Sequence, residues 1–174
     1  MSIGIGGGLK RQIETALRGK RIKYQPFKGS EGADNPMRLY GETKGVVGDR
    51  KEGKTNKEMF TNKRAQYYWA LRDRMLRTYQ AVTNPASAYV SPDDLISFSS
   101  EIDNLTALRA ELCRIPRKYV ASGRVQLMTK VEMKSLGIDS PNMSDALMML
   151  CRELDVRNIA RVAQAQGQTM AGWT

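Results

Sequence analysis

The firmest constraint on this chain lies between Asn62 and about Gln80. Ala65, Tyr68, Trp69, Met75, Leu76 and Tyr79 recur there at helical spacing, which predicts a long amphipathic helix with Thr61 or Asn62 as its N-cap. The opposite face holds Lys63, Arg64, Arg72, Arg74 and Arg77. A shorter helix is expected over residues 8–18, where Leu9, Ile13, Ala16 and Leu17 share a face and Gly19 supplies a stop. Leu105, Leu108 and Leu112 predict a third helix ending before Pro116, and Lys130 to Leu136 a fourth, closed by Gly137. Ser140-Pro141 reads as an N-cap followed by proline at the first helical position, starting a helix that is apolar from Ala146 to Cys151.

Strand signals are fewer. Arg21 to Phe27 alternates and is rich in β formers, with Pro26 confining it to a sheet edge. Arg124 to Met128 (RVQLM) reads as a second strand. Residues 28–56 contain six glycines, many charges and no periodicity, so they predict a long loop or a flexible β excursion. The class is α/β with helices in the majority, and 174 residues fit one domain.

Charge divides the chain in two. Lys and Arg outnumber Asp and Glu by 18 to 8 over residues 1–80 and are balanced at 10 each thereafter, so the first half carries the whole net charge of +10. One basic face and a polyanionic partner, most simply nucleic acid, follow from that asymmetry; a solvated basic surface is the plainer alternative. Histidine is absent, which excludes Ser-His-Asp and Cys-His nucleophiles and His-ligated zinc. Hydrolysis would have to rest on carboxylates, lysine or a hard metal with oxygen ligands. Cys113 and Cys151 form no CxxC pair and read as reduced thiols packed as small hydrophobes. No apolar run approaches the roughly 20 residues of a membrane span, and the start MSIGIGGGLKRQ lacks the order of a signal peptide. A soluble, intracellular protein is expected.

Two glycine motifs carry less than they suggest. GDRKEGKT, Gly48 to Thr55, matches the phosphate-loop pattern letter for letter. Only Val46-Val47 precedes it, however, where a buried strand is required, and four successive charges fill the loop. Gly4, Gly6, Gly7 and Gly8 resemble a dinucleotide fingerprint, but the third glycine would fall at Leu9. A tight strand-to-helix turn is the better reading.

The segment Ser140 to Leu147 (SPNMSDAL) is the informative one. Asp145 is the lone acid in the first turns of a helix otherwise built of Met, Leu, Ala and Cys. A carboxylate in such surroundings is costly unless it is paired or binds a metal. An Asp favoured by the helix N-terminus is the structural alternative.

Several segments together resemble one family, the DNA-packaging large terminase subunits of tailed phages and prophages, in their C-terminal nuclease domain. They are Ser2 to Gly8 (SIGIGGG), Ile22 to Gly32 (IKYQPFKGSEG), Asn62 to Leu71 (NKRAQYYWAL), Leu105 to Leu112 (LTALRAEL) and Met128 to Leu147, which ends in the SPNxxDAL block. The resemblance implies a ribonuclease-H-like fold over residues 1–151, incomplete at its N-terminus, with residues 152–174 as a helical or frayed tail. It implies a two-metal DNA endonuclease using Mg2+ or Mn2+, with Asp145 as catalytic acid and metal ligand. On the family pattern the second acid falls at Met1 and the first lies upstream, so the chain alone is expected to be inactive. Double-stranded DNA is the implied substrate, with Lys10, Arg11, Lys20, Lys23, Lys28, Lys63, Arg64 and Lys130 as candidate phosphate contacts. Other terminase segments, the small subunit and the portal protein are implied partners, in the cytoplasm of the bacterial host. Two rivals remain: a basic DNA-binding module without catalysis, and a phosphate-loop NTPase through GDRKEGKT.

Overall fold

A computed structural model describes residues 6–20, 26–41, 53–84 and 91–151. Six helices account for most of the regular structure: α1 (Gly6–Ala16), α2 (Asn56–Met59), α3 (Lys63–Thr83), α4 (Leu105–Cys113), α5 (Lys130–Ser135) and α6 (Asn142–Leu150). Two short strands, β1 (Arg117–Lys118) and β2 (Gln126–Leu127), pair antiparallel between α4 and α5, with Arg117 opposite Leu127 and Lys118 opposite Gln126. Isolated bridges join Leu39 to Thr55 and Phe60 to Val125, the second of them parallel. The expected strand at Arg21 to Phe27 falls largely outside the described residues, and so does the tail 152–174.

The long helix forms where its apolar spacing placed it. The Asn62 side chain accepts from the Ala65 amide and so satisfies one of the free donors at the helix start. Only the first half of its stripe is covered: Ala65, Tyr67, Tyr68 and Leu71 are buried, whereas Tyr79 is 65% exposed. Two cores sit along α3. One joins Tyr67, Tyr68 and Leu71 to Met148 and Cys151 of the α6 end. The other joins Ala65 to Phe60 and Val125. Leu127 of β2 packs against both. Cys151 therefore packs as expected, but Cys113, at the end of α4, is exposed.

The glycine-rich excursion is closed at its ends. Tyr40 donates its amide to the Lys54 carbonyl and Asn56 to that of Arg38, so it is a β excursion at its base. Side chains then clamp its first arm to α3. Gln66 exchanges hydrogen bonds with the backbone of Asp34 at 2.7 and 3.1 Å, and Tyr67 donates its hydroxyl to the Asp34 carboxylate. The phosphate-loop match lacks its required helix. Thr55 caps only the four residues of α2, and its hydroxyl is engaged in a capping box with Glu58.

The start of α6 corrects the sequence reading by one position. Pro141, not Ser140, is the N-cap, and it makes no side-chain cap bond. Ser140 instead donates its hydroxyl to Asn142 Oδ1 at 2.9 Å. The cap comes from another helix: Glu111 of α4 accepts the Ser144 amide at 2.9 Å. A carboxylate at a helix N-terminus also opposes the positive end of the macrodipole. No described helix is long and apolar enough to cross a membrane.

Candidate active site

Asp145 stands in the first turn of α6, at the wall of a cleft of about 330 Å³ that Phe27, Arg64, Gln126, Thr129 and Lys130 also line. Two other helices converge on its carboxylate. From α3, Tyr68 donates its hydroxyl to Oδ1 at 2.6 Å, and Arg64 Nε lies 3.4 Å from the same oxygen. From the first position of α5, Lys130 Nζ reaches Oδ2 at 2.8 Å. The two oxygens thus face different surroundings. The Oδ1 partners lie inside, with the Arg64 side chain 17% exposed, whereas the Lys130 side chain at Oδ2 is 52% exposed.

The inner side is tightly ordered. Arg64 donates Nη1 to the Met128 carbonyl at 2.8 Å, and its Cζ stands 5.2 Å from the Tyr68 ring centroid, within cation–π range. Its Nη2 is buried without a hydrogen-bond partner. Ser144, fully buried, sets its hydroxyl 3.1 Å from the Tyr68 oxygen and 3.2 Å from the Pro141 carbonyl. Burial pushes the Asp145 carboxyl up, but the hydrogen bonds from Lys130 and Tyr68 and the Arg64 charge outweigh it, so the group stays below its ordinary range. Burial first, and then the bond to Asp145, push the Tyr68 hydroxyl well above the ordinary phenol range. Tyr68 is a permanent donor at neutral pH.

Lys130 is out of place for the helix it begins, because a cation at a helix N-terminus runs against the macrodipole. The helix itself is secured otherwise, by a capping box between Thr129 and Glu132. Lys118 and then the Thr129 amide hold the Glu132 carboxyl down at about 2. What Lys130 gains is Asp145, together with a longer contact of 3.4 Å to Asn142 Oδ1.

The other described candidate cations do not line the cleft. Lys63, one residue before Arg64, turns to the glycine-rich arm and pairs with Glu31 at 2.8 Å and Asp34 at 2.9 Å. Arg11, Lys20 and Lys28 are exposed. The side chain of Lys10 and the whole of Lys23 lie outside the described residues. The structure brings Asp145, Arg64 and Lys130 to one cleft, which Arg11, Lys20, Lys28 and Lys63 do not line. Sequence reasoning missed Tyr68, read only as part of an apolar stripe, and Glu111. Neither carried a signal, since their partners lie 77 and 33 residues away in the chain.

A pair of divalent cations needs several oxygen ligands. Among the described residues no group of three or more acids, cysteines or histidines comes together. The carboxylate at the cleft is already compensated by two cations. The described donor set by itself does not fit a two-metal centre.

No family model matches the sequence, nor does any curated protein. Solved structures do. The nuclease domain of the large terminase subunit gp2 of bacterial virus Sf6 superposes with a TM-score of 0.71 at 43% identity, covering 86% of this chain and 61% of that one. A lysine-to-alanine mutant of that domain with manganese gives a TM-score of 0.70 at the same identity, covering 86% of this chain and 62% of the other. The mutant with calcium also gives 0.70 at 43% identity, over 86% of this chain and 61% of its own. The chain spans about three fifths of the relatives it matches, and over that span it is similar to the nuclease domain of a phage terminase large subunit.

Proposed function

We propose that this chain is part of a metal-dependent DNA endonuclease of ribonuclease-H-like fold that cuts concatemeric viral DNA during genome packaging, with Asp145 as one of its catalytic carboxylates. The observation that carries this reading is the 43% identity to a terminase nuclease domain, combined with the placement of Asp145 at a cleft between α3, α5 and α6. Mg2+ or Mn2+ is the cofactor of the complete site; relatives solved with manganese and calcium support a divalent ion. Its remaining ligands come from beyond the described residues. The chain's own contribution is to hold one carboxylate ionised and oriented: Tyr68 and Arg64 fix Oδ1, while the exposed Lys130 at Oδ2 can swing aside.

On this reading the described residues alone supply too few carboxylates to cut. A plasmid-nicking assay with manganese tests it against Asp145→Ala. No nicking by either protein is expected, and nicking by the unaltered chain that Asp145→Ala abolishes would overturn the inactivity while supporting the role of Asp145. Double-stranded DNA is the substrate; the small subunit, the portal protein and other terminase segments are the partners in the host cytoplasm. A second reading, a DNA-binding module without catalysis, is favoured by the same incomplete donor set and by the excess of 18 basic over 8 acidic residues before position 81.

A further inference from the structure

Most cations on the described surface near the cleft are matched by acids. Lys63, Arg64, Arg72, Lys118 and Lys130 each have a carboxylate within 3.4 Å. Arg117 differs. It is exposed at the start of β1, makes no ion pair among the described residues, and has aromatic rings as its partners. Its Cζ lies 5.5 Å from the Trp69 ring centroid and 5.9 Å from that of Tyr119. Arg72 adds a second guanidinium over Trp69 at 4.8 Å. Tyr119 is 90% exposed, so this array is not a closed packing contact.

The array adjoins the cleft. Arg117 stands opposite Leu127 and Lys118 opposite Gln126, and both Gln126 and Leu127 line the cleft with Asp145. Trp69 directly follows Tyr68, which holds the Asp145 carboxylate. A guanidinium resting against rings keeps its fork of donors for a phosphate and loses less freedom on binding. An exposed aromatic face stacks on an unpaired base.

We propose that Arg117, Trp69 and Tyr119 form a DNA-contact platform beside the Asp145 cleft, Arg117 taking a backbone phosphate and Tyr119 stacking on an unpaired base of a locally opened strand. The platform rests on the nuclease reading above and adds where the strand is held and in what form.

The test is fluorescence anisotropy of a labelled 20-nucleotide single strand and of its duplex, titrated with the full chain across a salt series. Arg117→Ala should weaken binding of both DNAs and lower the slope of log K against log salt by about one. Tyr119→Ala should weaken single-strand binding by about fivefold or more and leave the salt slope unchanged. Arg117→Lys, which keeps the charge, should restore the slope but not the full affinity, and this guards against a folding defect in the alanine variant. Wild-type affinity and slope in Arg117→Ala would overturn the phosphate contact. Unaltered single-strand binding by Tyr119→Ala would overturn the stacking. Failure of the unaltered chain to bind either DNA would sink the nuclease reading itself, whereas binding that ignores both substitutions sinks only the platform.

Discussion

The two flanks of α3 treat positive charge in opposite ways. On the flank backed by Tyr67, Tyr68, Leu71 and Met148, the guanidinium of Arg64 is drawn inward and neutralised by Asp145. Near the flank backed by Phe60, Ala65 and Val125, the guanidinium of Arg117 stays outside, stacked on Trp69. Burial decides the difference. A cation taken out of water must find a carboxylate, whereas one at the surface retains its hydration and needs only a ring edge or face to lean on. The first flank is built to hold one acid still, the second to leave a cation available.

That contrast breaks most violently in the cores. Phe60→Ala, at a side chain 1% exposed, should cost about 3–5 kcal/mol and release the hairpin with its Arg117 stack. Leu71→Ala or Met148→Ala should cost about 2–5 kcal/mol and loosen Asp145 instead. Urea unfolding measures both, and near-ultraviolet circular dichroism of Trp69 should change more in the first. Equal spectral effects would erase the distinction between the flanks. Arg64→Ala comes next. It leaves a half-buried carboxylate short of a partner, for about 2 kcal/mol after allowance for the remaining exposure, and exceeds Lys63→Ala, whose two partners, Glu31 and Asp34, are more exposed and whose loss should cost about 1 kcal/mol. Thr129→Ala, which removes the cap beneath Lys130, should cost about 1 kcal/mol.

The smallest effect is on pH dependence. The Asp145 carboxyl is lowered in the folded chain from an ordinary 3.8. Its contribution is therefore complete above that value and is lost as pH falls through the lower folded value. Urea midpoints from pH 6 down to pH 3 should fall less steeply for Asp145→Asn than for the unaltered chain. Identical slopes would mean that its partners do not stabilise the ionised form.

Local features were legible in the sequence, and cross-chain ones were not. The α3 periodicity with its Asn62 cap, the closure of α5 before Gly137 (φ 70°) and the isolation of Asp145 among apolar residues all depend on neighbours within a few positions. An arginine on a helix face gives no sign of a carboxylate 81 residues later, so the Arg64 contact with Asp145 is invisible in the sequence. Trp69 and Arg117 meet for reasons equally invisible in either segment alone. The misplaced start of α6 has the same origin. Ser140 and Pro141 make an ordinary start signal, but the capping oxygen arrives from Glu111.

The bond from Glu111 to the Ser144 amide also joins the unfolding of two helices. The first turn of α6 cannot fray without freeing a carboxylate of α4, so the two should open together in native-state hydrogen exchange and share one protection factor. The turn that carries Asp145 would then exchange as slowly as the middle of α4, although helix ends usually exchange fastest. Glu111→Gln should lower protection in both helices at once.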